Sequence, residues 1–284
     1  MKGFLISSNI WVGLAVAMLA LLSFPQPWTI EALLYTLFLF FATVSAYSYM
    51  RWVKMVQGDK TGQPIEVAGF QKSGYALAYT IINGGLALYF LSYILSDRLL
   101  WALSPALVIA LLYPLAFPHP NQHFTSLRSI PMLKLLLISA SWAWLSFAVP
   151  MVLEQQVWSS LLLMELLFRT LLIAGLTIPF DVRDIQYDST TMRTLPQLVG
   201  VERSLYIASL LLLIYEIWVI AAFFIWGLEL SISVAWLLGL ELGSFIIRKV
   251  RNHRINHFVG FYVEGIPIYI FILYLLLQLA VGNY

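Results

Sequence analysis

The chain contains no cysteine, which removes disulfides, thiolate nucleophiles and cysteine-ligated metals from its chemistry. Charge is almost as scarce: Asp, Glu, Lys and Arg make up 11% of the 284 residues, against about a quarter in soluble domains. The net charge of +2 gives no sign of a nucleic-acid partner, and its distribution says more than its sum. Apolar–polar alternation is also missing, so strands are not expected. No small-residue cleavage pattern follows the apolar residues 3–23, which read as a first membrane helix and not as a cleaved signal. What fills the chain instead is apolar: 61% of residues are hydrophobic, and the mean hydropathy is +0.86. Nearly the whole length must lie in or beside lipid.

Nine apolar segments are long enough to span, at about 3–23, 31–50, 73–96, 99–118, 132–153, 156–180, 204–228, 230–247 and 258–282. A span needs roughly 20 apolar residues. The expected architecture is all-α, a polytopic membrane protein of nine transmembrane helices forming a single domain over 1–284. Short turns join some spans; the other connections are longer and polar. Those connections carry Arg51, Lys54, Lys60 and Lys72, then Arg128 and Lys134, then Arg183, Arg193 and Arg203, then Arg248, Lys249, Arg251 and Arg254. With Lys2 this puts 14 of the 16 basic residues on one side; Arg98 lies opposite and Arg169 lies within a span. The positive-inside rule makes that side cytoplasmic, with the N-terminus inside and the C-terminus outside. The expected location is a bacterial inner membrane.

At the foot of the uncharged run 171–180 stand three carboxylates, Asp181, Asp184 and Asp188. Spacings of three and four residues place them on one helical face, where like charges repel. A hard divalent cation with oxygen ligands would relieve that repulsion. A solvated helix end carrying three aspartates fits the spacing equally well.

The wider stretch resembles the second aspartate motif of the UbiA-type intramembrane prenyltransferases. Asp184, Asp188, Thr194, Leu195, Pro196 and Gly200 fall in the family's order and spacing, with Arg183 just before Asp184. Nine spans and the cytoplasmic placement match as well. Tyr113-Pro114 and the region from Arg128 to Lys134 resemble family features more loosely. The resemblance implies Mg²⁺ held by two aspartate motifs, a prenyl diphosphate as donor and a lipophilic, usually electron-rich acceptor in the membrane. Asp181, Asp184 and Asp188 are then the expected metal residues, with Asp184 and Asp188 foremost in catalysis. Arg128, Lys134, Arg183 and Arg193 are expected toward the diphosphate.

The first motif departs from the pattern. The end of the second span reads SAYSYMRWVK, residues 45–54, where the family shows Asn and Asp. Tyr47 and Ser48 stand at the leading Asn-Asp pair, and Arg51 at the next aspartate. Arg51 has two readings: a guanidinium replacing a metal ion against phosphate, or a positive-inside anchor of the helix end. The altered motif also leaves open an intramembrane terpene cyclase, or a non-catalytic lipid-binding or transport protein on the same fold.

Other ionisable residues lie within spans. Glu165 and Arg169, four apart, can pair within one helix, and Glu216, Glu241 and Glu264 are candidates for a polar cavity. Glu264 is the expected site member among them, because it falls near the cytoplasmic opening. His119, His123, His253 and His257 read as interfacial residues, and Asn83-Gly84-Gly85 as a packing feature.

Overall fold

A computed structural model of the protein describes residues 2–57, 73–113, 115–118, 124–126, 132–186, 193–251 and 258–281. The first apolar segment is broken into α1 (Lys2–Ser7) and α2 (Ile10–Leu21). The break lies at Asn9, whose φ of 61° is left-handed, a conformation asparagine tolerates better than most residues. The side chains of Ser7 and Ser8 turn back onto carbonyls three residues earlier, Phe4 and Leu5, competing with the helical ladder.

The next two helices are long: α3 (Ile30–Gln57) and α4 (Ser73–Ser92). The fifth, α5 (Asp97–Leu112), is capped by Ser96, whose Oγ accepts from Leu99 N–H at 3.3 Å. It ends before Pro114, since a residue preceding proline disfavours helix. Then α6 (Leu133–Ala143) runs through a π-helical turn, Trp144–Ala148, into α7 (Val149–Leu153). Such a turn misaligns carbonyls, and here Leu145 O accepts from Tyr35 OH at 2.7 Å and Ser146 O from Ser23 Oγ at 2.8 Å.

Ser159 caps α8 (Ser160–Asp184). The short α9 (Leu195–Val199) leads into α10 (Val201–Trp226), which stops at Gly227 with φ 70°. After α11 (Leu230–Lys249), a second π turn at Val259–Val263 precedes α12 (Ile266–Val281). Among the described residues, a two-stranded antiparallel pair departs from helix, β1 (Ala116–Pro118) with β2 (Phe124–Ser126), Ala116 opposite Ser126.

Seven of the described helices are long and apolar enough to cross a membrane. The protein is thus a predominantly helical, multi-pass membrane protein. All nine apolar segments contain helix, but helix length alone supports seven crossings where the sequence suggests nine. Two segments fall short for identifiable reasons. Asn9 divides the first, leaving 12 residues in α2, and Pro114 shortens α5 to 16.

The helices form a ring in which α2 meets the first π turn at the end of α6, and α8, α10, α11 and α12 follow α6 in turn; α12 closes back onto α2, on which α3 also packs. Outside it, α4 lies against α3, and α5 against α6 and α7. Lipid supplies no hydrophobic drive between helices, so close backbone approach at small residues matters. A Cβ on Gly175 of α8 would fall 2.8 Å from Leu212 Cδ1 and 3.0 Å from Ala208 O of α10.

Polar contacts mark two ends. The start of α6 meets the end of α8 through Lys134 and Asp181. Arg51 of α3 meets α1, and Arg251 meets Glu202 at the start of α10. This is the end at which the basic connections leave the helices. Residue 154, after α7, lies at the other end. The chain lacks cysteine, so single cysteines at Ser189 and Glu154 report topology cleanly. They are expected to react with an impermeant maleimide from opposite sides of intact cells; labelling from one side for both would contradict this arrangement.

Candidate functional site

At the basic end, the last turn of α8 carries Asp181, Arg183 and Asp184. Asp181 is 2% exposed, and Lys134 Nζ lies 2.5 Å from its Oδ1. Met132, with φ 59°, starts α6 so that Lys134 falls in its first turn. Arg183 grips Asp184 with both forks, Nε to Oδ1 at 2.7 Å and Nη2 to Oδ2 at 2.9 Å. Its guanidinium also lies 5.1 Å above the Phe180 ring, which fixes its plane.

Opposite stands the end of α3. Arg51 donates from Nη1 to Ser7 O at 2.9 Å and from Nη2 to Ile6 O at 3.5 Å. The break at Asn9 thus presents carbonyls that a guanidinium can take, and Ser8 O accepts from Tyr79 OH at 2.9 Å. Asn9 Nδ2 donates to Ser48 Oγ at 3.0 Å, both residues being buried. Trp142 Nε1 donates to Tyr47 OH at 3.3 Å. The third wall is the second π turn. Trp11 stacks on Phe261 with ring centroids 4.5 Å apart and donates to its carbonyl at 2.8 Å. Glu264 follows that turn, and Arg183 and Arg51 are the cations whose charge acts on it.

The structure therefore brings together Tyr47, Ser48 and Arg51 from α3, Lys134 from α6, Asp181, Arg183 and Asp184 from α8, and Glu264. Arg193 is exposed, with φ 43°, and stands apart from these ion pairs. Asp188, Arg128 and the four histidines lie outside the described residues. Asn9 was not singled out from sequence, although the polar run Ser7-Ser8-Asn9 inside an apolar segment was a visible signal. The named site groups are three basic residues, Arg51, Lys134 and Arg183, and three acidic ones, Asp181, Asp184 and Glu264, with Lys134 paired to Asp181 and Arg183 to Asp184.

Asp181 and Asp184 share a face of α8, but no group of three or more His, Asp or Glu is placed to hold a metal among the described residues. Mg²⁺ commonly takes one or two carboxylates and completes its octahedron with phosphate oxygens and water. The donor set fits Mg²⁺ on those terms, with a phosphate-bearing ligand present.

A second polar cluster occupies the other half of the bundle. Arg169, 4% exposed, donates Nε to Glu165 Oε1 at 2.9 Å, Nη1 to Ser23 Oγ at 2.8 Å and Nη2 to Tyr215 OH at 3.3 Å. Tyr215 OH and Trp218 Nε1 donate to the two Glu165 oxygens at 2.8 and 2.5 Å. The guanidinium also lies 5.2 Å from the Phe147 ring and 5.3 Å from that of Trp236. Glu165–Arg169 is thus the interior pair that the spacing suggests, and it stitches α8 to α10 and, through Ser23, to the first π turn. Glu216 is buried on α10, and Glu241 of α11 is exposed.

No family model matches the chain, and no curated protein matches it in sequence. Solved structures do match in fold. The apo UbiA homologue from Aeropyrum pernix K1 superposes with a TM-score of 0.67 at 17% identity, over 95% of this chain and 98% of its own. A UbiA homologue from Archaeoglobus fulgidus bound to DMAPP and Mg²⁺ gives 0.63 at 15% identity, over 96% and 98%. Digeranylgeranylglyceryl phosphate synthase gives 0.58 at 15% identity, over 97% of each chain. The fold is the UbiA-type fold.

Proposed function

We propose that this protein is an intramembrane prenyltransferase that moves the prenyl group of a prenyl diphosphate to a lipophilic, electron-rich acceptor. The observation that carries this reading is the placement of Asp181 and Asp184, with Lys134 and Arg183, at the basic end of a UbiA-type fold. A similarly folded protein was solved with DMAPP and Mg²⁺ bound. We place the basic end in the cytoplasm, following the positive-inside rule.

Mg²⁺ held by Asp184 and Asp181, with Asp188 a further candidate, would supply positive charge to the leaving diphosphate. The chain's own cations do the rest of the binding. Arg183 already makes a bidentate contact to one carboxylate, and a phosphate offers the same fork geometry. An arriving diphosphate thus competes with Asp184 for Arg183 and frees the carboxylate for a cation. Arg51 approaches from α3 with the same chemistry, and Lys134 adds a point charge. The allylic C–O bond breaks with its electron pair leaving on the diphosphate. A bond from the acceptor to that carbon forms, and the acceptor gives up a proton. Trp11, Phe261, Tyr47 and Trp142 supply aromatic surface beside the polar end, where a developing allylic cation is stabilised by ring faces.

One observation favours a second reading, a non-catalytic lipid-binding protein on the same fold. At the first motif, Tyr47, Ser48 and Arg51 already hold Trp142, Asn9 and Ser7. The test is incubation of purified protein with a labelled prenyl diphosphate, Mg²⁺ and a membrane lipid extract. Diphosphate release that needs the extract is expected. Release without any acceptor would favour a terpene cyclase, and no release the lipid-binding role. Asp184→Asn is expected to weaken Mg²⁺-dependent binding of the diphosphate about tenfold, the scale of one lost charge-assisted contact. Unchanged binding would remove Asp184 from the site.

A further inference from the structure

A cavity of about 340 Å³ lies between the cytoplasm-proximal half of α11 and the start of the last span, away from the cluster of Asp181 and Asp184. Its walls are Leu242, Phe245 and Ile246 on one side and Phe258, Tyr262 and Tyr269 on the other, and Lys249 stands on its lining. Leu242 and Phe245 are 41% and 59% exposed, so the cavity opens sideways from the bundle and not into it. Two features of the sequence make the room. Gly265 lets the Tyr269 ring fold close to the backbone: a Cβ at 265 would fall 3.0 Å from its hydroxyl oxygen. The π turn at Val259–Val263 shifts the register of the last span, so Tyr262 leans on Phe258, with centroids 5.1 Å apart, while Phe261 turns inward to Trp11.

The chemistry of this groove is that of an amphiphile. Its walls are apolar and aromatic, suited to an alkyl chain lying along α11. Its basic end carries Lys249, whose ammonium sits 5.3 Å over the Phe245 ring at the rim. Arg248, exposed, adjoins it in sequence, and Arg251, also exposed, is paired with Glu202. A long lysine stem covering an apolar surface with its charge at the water boundary is the usual interfacial posture of this residue. A cation at that depth attracts anionic headgroups over zwitterionic ones, by about 1 kcal/mol for each lysine or arginine near the surface.

We propose that the groove between α11 and α12 is a binding site for an anionic glycerolipid of the leaflet at the basic end, with one acyl chain along Leu242, Phe245 and Tyr269 and the phosphate on Lys249. This site is separate from the diphosphate site and does not depend on the transferase reading. It shares with that site one element, the π turn that ends beside Glu264.

Native mass spectrometry of the full protein, titrated with phosphatidylglycerol or with phosphatidylcholine of the same acyl chains, tests the proposal. The parent is expected to retain phosphatidylglycerol preferentially. Lys249→Gln is expected to lower that affinity about fivefold and leave phosphatidylcholine unchanged, the factor following from one surface charge. Leu242→Trp, which fills the groove at an exposed position, is expected to reduce both lipids without loss of helical content. Equal retention of the two lipids by the parent would overturn the proposal, as would phosphatidylglycerol binding insensitive to Lys249→Gln or to Leu242→Trp. Displacement of the lipid by inorganic phosphate alone would show a phosphate site with no use for the chain. A dimer that Leu242→Trp dissociates would show that a second copy covers the groove. Either result would overturn the proposal too.

Discussion

Replacing Arg169 with methionine is expected to destabilise the protein by about 3–5 kcal/mol, the usual cost of removing one partner of a buried ion pair. Methionine matches much of the side-chain volume, so the loss is electrostatic and not a cavity. Arg169 supplies donors to Glu165, Ser23 and Tyr215 at once and stacks between Phe147 and Trp236. Without it, Glu165 keeps the hydroxyl of Tyr215 and the indole of Trp218 but has no cation within the apolar interior. Glu165→Leu combined with Arg169→Met is expected to recover most of the loss, because an apolar pair leaves no stranded charge. Thermal unfolding in detergent, followed by tryptophan fluorescence, measures both variants. A single Arg169→Met variant within about 0.5 kcal/mol of the parent, the range of an ordinary surface change, would mean the network is ornamental to the fold.

The Glu165–Arg169 pair also shows what this sequence makes legible. A spacing of four residues puts both side chains on one face of α8, and the pair is visible without any structure. Its other partners come from positions 23, 147, 215, 218 and 236, and no local period encodes them. The same division runs through the candidate site. The shared face of Asp181 and Asp184 follows from helical spacing. The Lys134–Asp181 contact joins residues 47 positions apart, and sequence reasoning assigned the two to different ligands. The apolar segments and the end holding most of the basic residues are read directly from hydropathy and charge.

What was not legible was where the backbone departs from the regular helix. At Asn9 the one mark is the polar run Ser7-Ser8-Asn9, which averaged hydropathy hides because Ile6 and Ile10 on either side keep the window apolar; the left-handed conformation itself has no counterpart in the pattern. The π turns at Trp144–Ala148 and Val259–Val263 contain no proline and leave no compositional mark. Yet both organise the bundle. One offers carbonyls to Tyr35 and Ser23, and the other places Phe261 under Trp11 with Glu264 just beyond.

Arg51→Asp is expected to reduce prenyl diphosphate affinity at least about a hundredfold, since like charge set against the ligand costs several kcal/mol. The change restores the residue type that the resemblance would place there, yet it should fail. Ser48 is buried and hydrogen-bonded to Asn9, so no second carboxylate stands beside position 51 to share a cation. The new carboxylate would face the carbonyls of Ile6 and Ser7, which now accept from the guanidinium, and would add to the field of Glu264. Arg51→Lys is expected to bind about tenfold more weakly than the parent, because an ammonium can serve one carbonyl or one phosphate oxygen but cannot fork between them. Arg51→Met separates the two roles the geometry allows. It keeps the bulk against α1 and removes the charge, so an anchor alone would show as lower thermal stability with diphosphate affinity intact. The expected result is loss of both, since one guanidinium holds the broken first segment in place and faces the cluster across which the diphosphate would lie. Correctly inserted Arg51→Met protein that binds the diphosphate like the parent would leave Arg51 as a structural clamp on α1 and empty the first-motif position of any role in the site.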